Sequence, residues 1–214
     1  MAEAFATLTE RVYATLRDDI LAGRLEPGAR LVRRILAKRL AVSPVPVSEA
    51  LLRLESDGLV ESAPMYGARV VVTSDASVRD DLVLREAVEC QAARECAVSA
   101  SDQALRELAQ QAAAIDAVMR AGADPGDHVS DQAHGALHLA IIEAAGCSGL
   151  ARELRRLWFR RQMHRAWVTA ADRGLPSGWH RDLIAAIASR DAARAEAHMR
   201  FHVRWNTLRH QELP

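Results

Sequence analysis

His134 and His138 stand four residues apart in a helical stretch, so their imidazoles share one face and can grip a single ion. Asp131 lies three residues before His134, on the same side. The other histidines are His128, His164, His180, His198, His202 and His210. His180 opens a later helical segment, and His202 lies deep in the last one. Divalent-metal binding is the chemistry such residues offer. A histidine pair at this spacing also arises by chance, and histidines at helix ends commonly cap the helix or face solvent.

A second cluster is basic. Between residues 24 and 53 stand Arg24, Arg30, Arg33, Arg34, Lys38, Arg39 and Arg53 against Glu26 and Glu49, an excess of five positive charges. The whole chain is balanced, with 28 basic and 28 acidic residues, so the patch is local. Phosphate binding needs such a patch and not a basic protein; a solvated helix face carries the same charges.

The elements beneath that patch are short. Ile35, Leu36, Leu40 and Val42 space as one amphipathic helix, and Val47, Ala50, Leu51 and Leu54 as a second. Ser43 is placed to cap the second helix. Pro44 and Pro46 fall at its first and third positions, where a missing N–H costs nothing, and Gly58 ends it after about Asp57. Two short helices joined by a tight turn read as a helix-turn-helix. Leu8, Val12, Leu16, Ile20 and Leu21 predict a preceding helix closed by Gly23, and Pro27-Gly28 centres a turn. Residues 59–62 and 68–72 are β-prone on either side of Pro64-Met65-Tyr66-Gly67, a small hairpin wing.

Residues 73–77 are polar and fall where the composition shifts, which predicts a linker between a winged helix-turn-helix over 1–72 and a second domain over 78–214. Helical patterns cover about 78–99, 102–121, 128–145, 148–172, 177–190 and 191–210, an all-α bundle. The expected fold class is thus mostly α: three helices with a β-hairpin wing, then a helical bundle. Cys90, Cys96 and Cys147 have no metal-pair spacing, and their odd number points to reduced thiols. No apolar run resembles a signal peptide or approaches the ~20 residues needed to span a bilayer, so no membrane partner and a cytoplasmic location are expected.

ILAGRLEPGARL, LAKRLAVSPVPVSEALLRLESDGLVES and YGARV, in this order over roughly residues 9–72, resemble the DNA-binding half of the GntR family of bacterial regulators. DLVLREAVECQAAR (81–94), HGALHLAIIEAAG (134–146) and HRDLIAAIASRDAARAEAHMRFH (180–202) resemble the FCD ligand-binding domain of that family's FadR branch. Together the two resemblances account for nearly the whole chain.

The first resemblance implies that the chain binds double-stranded operator DNA as a homodimer. It assigns base contacts to the start of the second helix, at Ser43, Pro44, Val45 and Ser48. Arg34 matches a DNA-contacting position, Arg33, Lys38 and Arg53 (with Arg39) are phosphate contacts, and Gly67 and Arg69 lie on the wing. The family usually has arginine at the position of Pro44 and often at that of Ser48, and arginine reads guanine through paired hydrogen bonds. Proline and valine press instead on a thymine methyl, and the serine hydroxyl donates or accepts, so the operator should differ from the family consensus.

The second resemblance implies a divalent metal, held in many FCD domains by an aspartate and three histidines. Anchored on AAG at 144–146, His138 falls on the histidine of the Asp-x3-His pair and His134 on the aspartate. His180 and His202 fall on the remaining two, and Asp191 between them fits the spacing. Asp131 as an orienting partner and His198 in place of His202 are alternatives. Four neutral imidazoles favour zinc or nickel over manganese or magnesium and leave more charge for an anionic effector. Occupancy should fall in mild acid. Arg85 is the candidate partner for the carboxylate of a small organic acid effector; a surface ion pair with Glu89 is the alternative.

The reading is therefore an effector-controlled transcription regulator, expected to be a repressor. A metalloenzyme would need an open coordination position and a nearby general acid or base, and no HExxH-like signature appears; Glu143 is poorly suited. A third reading keeps the DNA binding and makes the metal purely structural.

Overall fold

The computed structural model describes residues 7–63, 67–72, 74–121, 128–163 and 178–208. The chain divides into two compact units, Met1–Ser77 with Phe159–Met163, and Val78–Trp158 with His164–Pro214.

In the first unit α1 (Leu8–Leu21) starts at a capping box: the Thr7 hydroxyl accepts from the Glu10 amide at 3.2 Å, and the Glu10 carboxylate accepts from the Thr7 amide at 2.7 Å. Helices α2 (Arg33–Arg39) and α3 (Pro44–Ser56) follow. The turn between them carries Ala41 at φ +53°, a left-handed conformation that suits glycine better than alanine. Pro44 sits at the first position of α3, and Ser43 is its N-cap with an extended backbone, although the Ser43 hydroxyl makes no capping bond. Val47, Ala50, Leu51 and Leu54 bury against Val12, Leu16 and Ile20 of α1, the expected stripe. Ile35 departs from expectation. It is 64% exposed, because a seven-residue helix turns only Leu36 and Ala37 inward.

The wing has one strand more than the predicted hairpin. Strand β1 (Arg30–Leu31) pairs antiparallel with β3 (Gly67–Val70), which pairs with β2 (Val60–Ala63), giving the order β1-β3-β2. Two residues carry no alternation that could announce a strand.

The second unit holds α4 (Asp75–Ser99), α5 (Asp102–Arg120), α6 (His128–Ala144), α7 (Ser148–Met163), α8 (Trp179–Ala188) and α9 (Ala192–Leu208). The predicted linker is shortened: residues 75–77 already belong to α4, and at its start the Ser74 and Ser77 amides each donate to the other's hydroxyl oxygen. Residues 164–172 of the expected fourth segment lie outside the described residues. The core is rich in small side chains, Ala93, Cys96, Ala97, Ala112 and Ala195, which bring the helix backbones close around Leu137, Ile141, Ile184 and Met199.

Candidate metal centre and nucleic-acid interface

Helix α6 turns Leu137, Ile141 and Ile142 into the core, and the same inward arc carries His138 (1% exposed) and the partly buried His134. Helix α9 brings His202 to the same point, fixed by buried Met199 and Val203 on either side of it. The three Nε2 atoms converge. His134 and His138 are 2.8 Å apart, His134 and His202 3.1 Å, and His138 and His202 3.2 Å. A divalent ion about 2.1 Å from each nitrogen sets its neighbours about 3.0 Å apart at right angles and about 3.4 Å apart in a tetrahedron. The observed edges match the right-angled arrangement, so these residues fit a metal.

The donor chemistry agrees. The Glu89 carboxylate meets His138 Nδ1, which places the ring proton there and leaves Nε2 with its lone pair directed at the cluster. Arg85 Nε donates to Glu89 Oε1 at 2.7 Å, with the two side chains 4% and 1% exposed. Burial pushes the Glu89 carboxyl up, but the Arg85 guanidinium and His138 together outweigh it and hold it at about 2. The guanidinium of Arg85 also lies 5.1 Å from the centre of the Trp158 ring, which in turn stacks on His138. Arg85 thus makes the pair with Glu89 that stood as the alternative to an effector contact, and the pair is buried rather than at the surface. Through Glu89 it bears on the ring of His138.

His180 stands beside the trio. Its ring centre is 4.9 Å from that of His134 and 5.3 Å from that of His202, but its Nε2 does not join the three converging nitrogens. Asp116 of α5 accepts from His180 Nδ1 at 2.7 Å and from the backbone amides of His180 and Arg181, each at 3.1 Å. One carboxylate therefore orients the ring and caps α8, whose own N-cap, Gly178, has no side chain to do so. Burial lowers the His180 pKa against the opposing pull of Asp116. Its Nε2 is buried and has no hydrogen-bond partner among the described residues. Of the four histidines expected together, three thus converge and the fourth ring stands alongside.

Of the alternatives, His198 is not in the trio; it lines a cavity of about 140 Å³ with Trp179, Phe201 and the outer side of His202. Asp191 accepts from the amides of Ala193 and Arg194 and caps α9. The Asp131 side chain lies outside what the structure describes. Trp179 stacks on His202 at 4.9 Å, so Trp158 and Trp179 both wall the cluster. Glu89 and Asp116 were not legible as partners of His138 and His180. Glu89 offered only its spacing to Arg85, and Asp116 lies 64 residues from His180 with no sequence signal.

In the first unit, α3 buries Pro46, Val47, Ala50, Leu51 and Leu54 and exposes Pro44, Val45 (63%) and Leu52 (66%), with Ser48 half-buried among them. The Ser48 hydroxyl donates to the Pro44 carbonyl at 3.0 Å. A groove of about 500 Å³ runs beside this face, lined by Arg33, Ser48, Leu52, Glu55 and Ala68 among others.

The cations assigned to DNA divide into two groups. Arg33, Arg34 and Lys38 are exposed on α2 and have no ion-pair partner among the described residues. The others are engaged within the protein. Asp19 accepts from Arg24 and Arg39, each at 2.7 Å, and Arg69 Nε donates to Glu61 at 2.7 Å. Arg53 lies 4.1 Å from the centre of the Tyr13 ring, whose hydroxyl donates to Asp57 at 2.6 Å. Ser43 is exposed at the start of α3, and Gly67 opens β3 at φ +75°. Leu52, on the same face as Val45, was not anticipated from sequence.

Comparison with known proteins agrees with both halves. The model of bacterial regulatory proteins of the gntR family matches residues 8–70, and that of the FCD domain matches residues 81–204. The Uxu operon transcriptional regulator of Escherichia coli K12 is 30% identical over 224 residues, covering 92% of this chain and 86% of its own. The transcriptional repressor RspR of the same organism is 33% identical over 103 residues, 48% of this chain; the match spans less than half, 45%, of that relative. The solved structure of E. coli McbR/YncC superposes with a TM-score of 0.68 at 23% identity, covering 96% of this chain and 98% of its own. These relatives are regulators and not enzymes, and no described helix is long and apolar enough to cross a membrane. A winged helix-turn-helix matched over residues 8–70 and followed by an FCD domain matched over residues 81–204 places this chain in the GntR family of DNA-binding bacterial transcription regulators.

Proposed function

We propose that the protein is a homodimeric cytoplasmic repressor whose affinity for operator DNA is set by a small organic acid bound beside a divalent metal in the helical domain. The convergence of three imidazole Nε2 atoms within 3.2 Å of one another carries this reading. His134, His138 and His202 would hold the ion, and an all-nitrogen set favours zinc or nickel over magnesium. A bound ion supplies positive charge that the three imidazoles do not offset, which suits an anionic ligand. His180, oriented by Asp116, stands where it completes the set or meets that ligand. RspR is named a repressor, which supports the sign of regulation. In a symmetric dimer the ligand acts by changing how the two winged helices match their half-sites, and operator DNA weakens ligand binding by the same factor.

Elemental analysis of untagged protein tests the centre. About one metal per chain is expected, lost in both His134→Ala and His202→Ala. A folded wild type that takes up no zinc or nickel would sink it. Screening small carboxylates for release of the metal-loaded protein from DNA then tests the effector. A metal of purely structural role is the second reading, favoured by the burial of His138 and His202, and it predicts that chelation alone unfolds the helical domain.

A further inference from the structure

The outward face of the first turns of α3 is poor in hydrogen-bond donors for a surface that meets base edges: only the Ser43 hydroxyl, exposed at the N-cap without a capping bond, stands beside it, and Arg53, more than two turns on, lies over the Tyr13 ring. Pro44, Val45, Ser48 and Leu52 share that face, and three of them have only carbon at their tips. Ser48 has a hydroxyl, but its proton is committed to the Pro44 carbonyl at 3.0 Å, so its oxygen is left as an acceptor. On the flanks, Glu49 accepts from the Thr9 hydroxyl and Glu55 from the Ser62 amide, and both are acceptors as well. Of the cations assigned to DNA, Arg33, Arg34 and Lys38, which have no ion-pair partner among the described residues, are on α2.

The major-groove edge of guanine presents N7 and O6, which need donors. The A·T edge presents adenine N7 and its N6 amine, then thymine O4 and the thymine C5-methyl; the amine takes an acceptor and the methyl an apolar contact, a combination that no G·C edge offers because cytosine has an amine but no methyl. We propose that the first turns of α3 select A·T pairs, Ser48 Oγ accepting from an adenine N6 amine while the Val45 methyls pack on the thymine methyl. Arg33, Arg34 and Lys38 hold phosphates and take no part in the choice. The inference rests on DNA binding by this domain and is independent of the metal and the effector.

The test begins with selection of sites by the full chain from a randomised duplex library. Each half-site should show A·T pairs at the positions facing α3 and no enriched guanine there. In the best site, purine in place of adenine removes the amine, and deoxyuridine in place of thymine removes the methyl. Each should weaken wild-type binding about four- to fivefold, the factor for one hydrogen bond or one methyl contact. Ser48→Ala should become indifferent to the purine change only, and Val45→Ala to the deoxyuridine change only. Ser48→Arg should shift the selected base toward guanine. Guanine enriched by the wild type, or variants that respond to both analogues as the wild type does, would overturn the proposal. Salt-dependent binding to random duplex, kept in every variant, shows that the domain is folded. Its absence in the wild type would instead bring down the DNA-binding reading itself, and this proposal with it.

Discussion

The indole of Trp158 packs against Gly135, so close that a β-carbon there would fall 2.8 Å from Cζ2 and nearer still to Cε2 and Nε1. Gly135 follows His134 directly, and the same indole stacks on His138. The contact therefore sets the wall of the histidine cluster. Gly135→Ala should destabilise the helical domain by about 1–3 kcal/mol, the cost of overpacking a buried contact. It should also lower metal uptake in the same protein. Denaturant unfolding and zinc titration check the two effects separately.

Arg85 and Glu89 should be more costly to separate than to replace together. Arg85→Met leaves Glu89 charged and buried beside His138, and a loss of about 3–5 kcal/mol is expected for breaking such a pair from one side. Glu89→Gln keeps the shape and removes the charge that orients His138. It should weaken metal binding about 10- to 100-fold. Unchanged zinc affinity in Glu89→Gln would remove Glu89 from the centre.

Tyr13 gives the DNA-binding unit an alkaline limit. Burial and then its hydrogen bond to Asp57 push the phenol to about 12 from its ordinary value of 10.0. The folded state thus favours the protonated phenol. Its contribution is complete below pH 10 and is lost as pH rises from 10 to 12. Tyr13→Phe should flatten that decline, measured by thermal unfolding across the same range.

The division among the cations is open to a salt experiment. Arg34→Ala or Lys38→Ala should each reduce the slope of log affinity against log salt by about 1, the value of one phosphate contact. Arg69→Ala, whose guanidinium is tied to Glu61, should leave the slope nearly unchanged. A loss of slope in Arg69→Ala equal to that in Arg34→Ala would show that the Glu61 pair opens on DNA.

Much of this arrangement was legible from periodicity. The stripe on α3 and its start at Pro44 follow from local spacing and proline chemistry, and those forces act within a few residues. The same holds for five helices of the second unit, whose ends fall within about three residues of expectation by the capping signals that set them. What escaped was decided by partners distant in the chain. Strand β1 exists because β3 offers it a ladder, and Ile35 is exposed because α2 has only one narrow buried side. His134 and His138 were visible as a pair, but their third partner, His202, is brought in by packing 64 residues beyond His138. The family resemblance, and not the spacing, pointed to it. No resemblance pointed to Glu89 or Asp116, whose partners are chosen by helix rotation in the bundle.

Asp116 fastens two things with one carboxylate, the imidazole of His180 and the first amides of α8. Ring and helix are consequently on a single tether. A ligand that turns the imidazole must loosen the opening turn of α8, and one that tightens the ring must brace it. Occupancy of the cluster should then be written in the exchange rates of the His180 and Arg181 amide protons, at a distance from any atom the ligand touches.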